Sequence, residues 1–397
     1  MSSFFTSIDT LVDPVHVIGL VRGLKENDFS AARALRLEAT NQLLQTTEVD
    51  CLVLSIGADM PWLCGYQAMP LERLTALVIP KGERPTLVVP RLEAPRVRHD
   101  ADLFNLLPWD EDQNPFELVA KIARAASCIG VSDRMWASAL LELQVRNKES
   151  KFVSGSALIT QLREAKDELE LLLLARAAHI TDDVAFEIFS GVIDFEGRTE
   201  REVSEDISSR LLAKGLSRVN FAIVGAGQNS ASPHHEPGRK VIEAGDPVVC
   251  DFGGIYSILE EPGYCSDITR TVGVRHVSQE FVELYDVLQA AQEVARTKVS
   301  SSMSGKSADM LARQEITKNG YGEYFIHRTG HGIGMEEHEG PYISSVNLQP
   351  IGSFSAFSIE PGIYMPQKFG ARIEDICVTG EHCAVSLNNA PRNLYIV

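Results

Sequence analysis

The chain has no apolar run long enough to cross a bilayer. The stretch 169–178 is broken by Glu170 and Arg176 and falls short of the roughly 18–20 residues a membrane helix needs. No basic region precedes the few apolar residues of the opening MSSFFTSIDTLVDP, so no secretory signal is expected there. There is no CxxC pair, and the seven cysteines are an odd number spread along the chain. Such usage reads as reduced thiols in a cytoplasmic protein. Basic residues are outnumbered: 37 Lys and Arg against 54 Asp and Glu give a net charge of −17. An acidic chain repels phosphate backbones, so nucleic acid is not an expected partner. Low-complexity segments and internal sequence repeats are also missing.

A length of 397 residues, 44% hydrophobic and 23% charged, suits a soluble enzyme of two domains, since a single core rarely grows beyond about 250–300 residues. In the first third, residues 50–56, 74–80 and 85–90 are short apolar runs bounded by Gly, Pro or charge and read as buried strands. Residues 30–45 read as a helix capped by Ser30, and 127–133 as a further strand followed by a helix. The polar KESKFVSGSA marks a boundary near 155–163, giving domains 1–158 and 159–397. Beyond it, Leu169, Leu173, Ala177, Ile180, Val184 and Ile188 form one face of a long helix. Thr199 with Glu202 offers a capping box, Val203, Ile207 and Leu211 continue a stripe, and Gly215 can end it. A third helix runs through Phe281, Leu284, Leu288 and Ala291. These helices are expected to cover one face of a curved antiparallel sheet.

Five residues of metal-ligand type follow in order. They are Asp251 in VVCDFGG, Asp267 in YCSDITRT, His331 in HRTGHGIG, Glu360 in SIEPGIY and Glu374 in ARIED. Four carboxylates and one imidazole suit a pair of hard-to-borderline divalent cations, Mn foremost, with Co or Zn also compatible. Asp251 ends an apolar run, where a carboxylate is costly unless paired or metal-bound. Alternation puts Asp267, Thr269 and Thr271 on one strand face, so Thr269 could support a ligand from behind. Glycines 330, 332 and 334 point to close backbone approach or a turn, so the HxxxH around His331 is not a zinc-protease helix. Glu360 and Glu374 are expected on neighbouring strands of a hairpin turning near 367–370. Arg372 shares the face of Glu374 and could brace a carboxylate or meet an anionic substrate end, while Asp375 faces the other way.

The order and wording of these motifs resemble the pita-bread metallopeptidases, the family of methionine aminopeptidase, aminopeptidase P and Xaa-Pro dipeptidase (prolidase). The resemblance covers residues 160–395 and, more loosely, the whole chain. The N-terminal WLCGY and LERLTALVIP resemble the domain that creatinase, aminopeptidase P and prolidase carry. The implied fold class is α+β, with a C-terminal pita-bread fold and a smaller α/β creatinase-like N-terminal domain.

The resemblance implies two divalent ions per subunit held by Asp251, Asp267, His331, Glu360 and Glu374, with Asp267 and Glu374 bridging both. It implies that His338 and the first of the pair His234–His235 face the substrate, with His327 close by either as a substrate contact or as a packed histidine. Glu360 is the implied proton acceptor. The implied reaction is hydrolysis of the Xaa-Pro bond, of dipeptides foremost, by a cytoplasmic homodimer. The alternatives are an aminopeptidase P acting on longer peptides with proline second, a metal-free creatinase-like hydrolase, and a non-catalytic binding protein. Two features depart from the family. The aspartates lie 267 − 251 = 16 positions apart, a longer hairpin than in most relatives, with the extra length at 257–263. And the segment PYISSVNLQPIGSFSAF contains no arginine, where larger prolidases place one in a long loop.

Overall fold

A computed structural model describes residues 4–5, 7–380 and 384–397. Six cysteines are free and buried; the seventh, Cys383, lies outside the described residues. Among these residues no helix is long and apolar enough to cross a membrane. The chain packs into two compact units. One holds Lys25–Arg163 together with Ile258–Pro262, and the other holds the stretch up to Leu24, Glu164–Ser257 and Gly263–Val397. The expected division into 1–158 and 159–397 differs from this at both ends. The N-terminal helix Pro14–Gly23 packs on the helix Glu168–Phe189, because its buried Val17 and Val21 find their apolar partners there.

The first unit is built on a six-stranded sheet. Its order is Asn105–Trp109, Thr86–Pro90, Ala76–Pro80, Cys51–Leu54, Cys128–Val131 and Lys151–Ser154. The central Cys51–Leu54 strand runs antiparallel to Ala76–Pro80 and parallel to Cys128–Val131. Val53, Val78, Val88 and Ile129 make its core, so the apolar runs of the sequence are the buried strands. The first long helix starts earlier than Ser30. It spans Glu26–Gln45 with Lys25 at its N-cap. The Asp28 carboxylate accepts from the Lys25 N–H at 2.8 Å, and acidic groups in a first turn favour the exposed N–H ends there. Within this unit Glu261 accepts from Arg33 at 2.6 Å.

The second unit carries two sheets where one was expected. In the four-stranded sheet the order is Tyr395–Ile396, Tyr264–Gly273, Pro247–Tyr256 and Arg218–Ala226. In the five-stranded sheet it is Glu339–Ile343, Gly330–Gly332, Ala356–Ile359, Asp375–Thr379 and Ala384–Ser386. A separate ribbon pairs Gly362–Met365 with Phe369–Arg372. The helix Glu168–Phe189 lies against the strands Pro247–Tyr256 and Tyr264–Gly273 and buries its whole stripe from Leu169 to Ile188. The helix Glu200–Lys214 begins at the Thr199–Glu202 capping box and ends at Gly215, whose φ of 115° favours glycine. Phe281, Leu284 and Leu288 of the helix Gln279–Lys298 share a core with Phe357, Ile359 and Ile363. The two sheets and the ribbon therefore have apolar backs held by helices, which leaves their inner edges to carry polar groups.

Candidate metal centre

The aspartates are held by a hairpin of two ten-residue strands, Pro247–Tyr256 and Tyr264–Gly273. Asp251 does not end its strand. It sits mid-strand in Pro247–Tyr256, paired with Thr269, and Asp267 pairs with Gly253. The backbone stays in the sheet past Asp251, and Phe252 beyond it is again buried in the core. The connection 257–263 closes this hairpin, with Leu259 and Glu260 at positive φ of 52° and 57°.

His331 is set by close backbone packing. A Cβ at Gly330 would fall on the Ser358 carbonyl, and one at Gly332 on the Gly340 carbonyl, so only glycine lets the short strand Gly330–Gly332 sit between its neighbours. The Ser358 hydroxyl accepts from the His331 N–H at 3.0 Å and donates to Glu360 Oε1 at 3.1 Å. The glutamates lie at breaks in the chain path and not within the expected hairpin strands. Glu360 falls between Ala356–Ile359 and the ribbon, and Glu374 between the ribbon and Asp375–Thr379. At such breaks the backbone leaves one sheet for another, which frees the side chain to turn inward.

All five ligand-type residues line one cavity of about 320 Å³. Atoms of Asp267, His331 and Glu374 lie within 4.8 Å of one another. His331 Nε2 is 3.3 Å from Glu360 Oε1 and 3.8 Å from Asp267 Oδ2. Asp251 turns one oxygen, Oδ2, to the Arg372 guanidinium. Asp251 Oδ1, Asp267 Oδ1 and Glu374 Oε1 are buried and lack any hydrogen-bond partner. Unpaired buried carboxylate oxygens are costly, and here three of them share one cavity.

The electrostatics follow from that crowding. Burial, then the neighbouring Glu374, Asp251 and Glu360, holds the Asp267 carboxyl well above its usual range. Burial, then Glu360 and Asp251, does the same to Glu374. Glu360 is pushed up to about 7, by burial first. The His331 imidazole is pushed down to about 3 by burial and then by His338, so it is neutral. Its Nδ1 faces the Gly332 carbonyl at 3.1 Å, which can only accept, so the proton sits on Nδ1 and the bare Nε2 points at carboxylates. A lone pair facing carboxylate oxygens is repulsive once they ionise, unless a cation or a proton lies between them. The donor set of carboxylates and one neutral imidazole fits divalent ions.

The remaining residues sort by their partners. The Thr269 hydroxyl donates to Glu374 Oε2 at 2.7 Å and accepts from Arg372 Nε at 3.0 Å. Arg372 further donates to the Tyr364 hydroxyl at 2.7 Å and the Pro233 carbonyl at 3.2 Å. Its nitrogens are thus committed to bracing Asp251, Thr269 and the loop before His234. Of the two roles expected for it, bracing a carboxylate or meeting a substrate end, these contacts fit the first. His327 also lines the cavity, but its Nδ1 faces the Arg328 carbonyl at 2.7 Å and its Nε2 the Tyr364 hydroxyl at 2.9 Å. Neither ring nitrogen is left for substrate, and burial, then Arg372, lowers its pKa to about 4. Of the histidine pair, His234 lines the cavity. His235 turns to the buried Glu200, 2.8 Å away. His338 stands at the cavity mouth with its ring 3.9 Å from that of His331. Its Nδ1 is 3.3 Å from Arg328 Nη2. Arginine only donates, so Nδ1 accepts and Nε2 carries the proton.

Sequence reasoning did not single out Tyr364, Ser358 or Arg328. Tyr364 follows SIEPGI at a strand position where a tyrosine reads as core. Ser358 stands two positions before Glu360, a spacing that was the available signal.

Residues 173–381 match the model of metallopeptidase family M24 and residues 36–165 that of the Creatinase/Prolidase N-terminal domain. The chain belongs to metallopeptidase family M24. The probable dipeptidase PepE of Mycobacterium tuberculosis is 38% identical to this M24 protein over 350 residues, 87% of this chain and 92% of that one. The crystal structure of dipeptidase PepE from Mycobacterium ulcerans superposes with a TM-score of 0.86 at 39% identity, covering 92% of this chain and 98% of its own. The Xaa-Pro dipeptidase from Bacillus anthracis gives a TM-score of 0.84 at 29% identity, covering 92% and 100%. The pita-bread fold and the metallopeptidase class expected from the motifs are those of this M24 family. A metallopeptidase of this family acts on peptides with divalent metal ions, and the cavity's orphaned carboxylate oxygens are where such ions fit.

Proposed function

We propose that this M24 enzyme is an Xaa-Pro dipeptidase that works with two divalent ions, manganese foremost, as a cytoplasmic homodimer. The observation that carries the reading is the convergence of three partnerless buried carboxylate oxygens with the bare Nε2 of His331 in one cavity, in a chain similar over nine-tenths of its length to dipeptidases. Asp251, Asp267, His331, Glu360 and Glu374 would hold the ions. Bound there, they acidify water and offset the charge developing on a peptide carbonyl.

The chain's own residues supply the rest. His338, with its proton on Nε2, donates a hydrogen bond to the carbonyl oxygen as charge builds there. His234 lies across the same cavity and holds the substrate. Glu360 takes up the proton of the attacking water and returns it to the leaving amine, as a carboxylate beside the bound water can. Thr269 and Arg372 touch no substrate. They fix the directions of Glu374 and Asp251. Phe221 and Ile223 give the cavity an apolar wall, which suits a proline ring. The unit built on Lys25–Arg163 forms the creatinase-like N-terminal domain.

The test measures metal content beside hydrolysis of Gly-Pro, Ala-Pro and Ala-Pro-Ala. Two bound ions per subunit, activity lost on chelation and restored by Mn or Co, and preference for the dipeptides are expected. Full activity after exhaustive chelation overturns the reading, and preference for the tripeptide points to an aminopeptidase P instead. Light scattering at micromolar concentration tests the dimer against the 43.6 kDa monomer.

A further inference from the structure

A dipeptide differs from every longer substrate in one respect: its terminal carboxylate lies only a few bonds from the scissile carbonyl. An enzyme that prefers dipeptides needs a cation at that distance, and the segment PYISSVNLQPIGSFSAF contains none in the form of arginine. The cavity has two guanidinium groups, Arg372 and Arg328. Arg372 is buried and committed to Asp251, Thr269, Tyr364 and Pro233.

Arg328 is different. It is half-buried at the cavity mouth. Its one hydrogen bond is the 3.3 Å contact from Nη2 to His338 Nδ1, and the guanidinium carbon lies over the Tyr342 ring, 4.6 Å from its centroid. Among the described residues no carboxylate pairs with it. Glu337 lines the same cavity but forms no ion pair with it. Most of the fork of N–H donors is therefore unspent, while the cation–π contact with Tyr342 holds the group at the mouth. A planar, pre-oriented guanidinium is the group that receives a carboxylate through two parallel hydrogen bonds. Its contact with His338 places it beside the histidine that would meet the scissile carbonyl. Resting on the dipeptidase reading, we infer that Arg328 receives the substrate's terminal carboxylate and is the residue that makes this enzyme prefer dipeptides.

The experiment compares Ala-Pro with its C-terminal amide, Ala-Pro-NH2, on metal-loaded wild type, Arg328→Met and Arg328→Lys. The readout is the ratio of kcat/KM for acid over amide, in which any common loss through His338 cancels. Wild type is expected to favour the acid. Arg328→Met is expected to lose roughly ten- to hundredfold of that ratio, the scale of a charge-assisted hydrogen bond. Arg328→Lys, which keeps the charge without the fork, is expected to fall between them. Calorimetric binding of proline against prolinamide gives the same contrast without turnover. A preference for the acid that is unchanged in Arg328→Met overturns the inference while leaving the dipeptidase reading intact, whereas an active wild type with no preference for the acid overturns both and points to an aminopeptidase P. A wild type inactive on every Xaa-Pro substrate overturns the dipeptidase reading itself, and the role of Arg328 with it.

Discussion

The Thr269 hydroxyl lies 2.7 Å from Glu374 Oε2, although the two residues are 374 − 269 = 105 positions apart in the chain. The same oxygen of Thr269 accepts from Arg372, so one hydroxyl aligns a candidate bridging carboxylate and the arginine that braces Asp251. Thr269→Val keeps the shape and removes both bonds. Metal affinity is expected to fall roughly 10- to 100-fold, the cost of losing a group that orients a ligand, with little change in fold. A metal titration of the chelated protein measures it, and an unchanged affinity would remove Thr269 from the site.

Glu374→Ala and His338→Ala are expected to fail differently. Glu374 is a proposed ligand, so its loss should lower metal content together with rate. His338 stands at the mouth of the cavity and is proposed to meet substrate. Its loss should leave the metal in place and lower kcat by roughly 10²–10³, the scale for one oxyanion donor. Elemental analysis beside Xaa-Pro hydrolysis separates the two, and normal metal content in Glu374→Ala would show that its role is misassigned.

Glu360 predicts a pH dependence in the chelated protein. Its folded carboxyl is raised, by burial first, from 4.5 to about 7, so between those values the folded state binds more protons than the unfolded one. The stabilisation is complete at the low end and is lost as pH rises through the folded value. Glu360→Gln cannot ionise. Without metal, its melting temperature relative to wild type should climb as pH is raised from about 5 to 8. Excess metal should reverse the order, because only wild type gains the full binding energy. A gap that stays constant across the range would refute the assignment.

Arg270 is the largest fully buried side chain. It donates to Asp375 Oδ1 at 2.7 Å and to the carbonyls of Glu374, Ala390 and Pro391. Arg392 and Gln292 hold the other Asp375 oxygen. Arg270→Met leaves that carboxylate buried and half-paired, which should cost roughly 3–5 kcal/mol in stability. Denaturant titration reads this directly, and a loss below about 1 kcal/mol would show that the network is slack.

The five ligand-type residues that meet in the cavity were legible because each sits in its own local wording, and a carboxylate beside an apolar strand signals its cost without any tertiary knowledge. The long helices were legible for the same reason: stripe, cap and terminal glycine are all local. What the sequence hid is what distance decides. The choice between His234 and His235 is made by Glu200, 235 − 200 = 35 positions away. The commitment of Arg372 depends on partners from three other segments. The early start of the helix at Glu26 was missed because Ser30 is a good cap by type, while Asp28 takes that part from inside the first turn.

Glu374 and Asp375 are neighbours that look in opposite directions. One faces the cavity, the other the Arg270–Arg392 network on the far side. Exchanging the two letters would leave composition, charge and hydropathy untouched. Yet it would shorten by one methylene the carboxylate reaching into the cavity, and lengthen by the same amount the one clasped between two arginines in a close-packed interior. The order of this acidic pair, invisible to any measure of content, is therefore itself information the fold depends on.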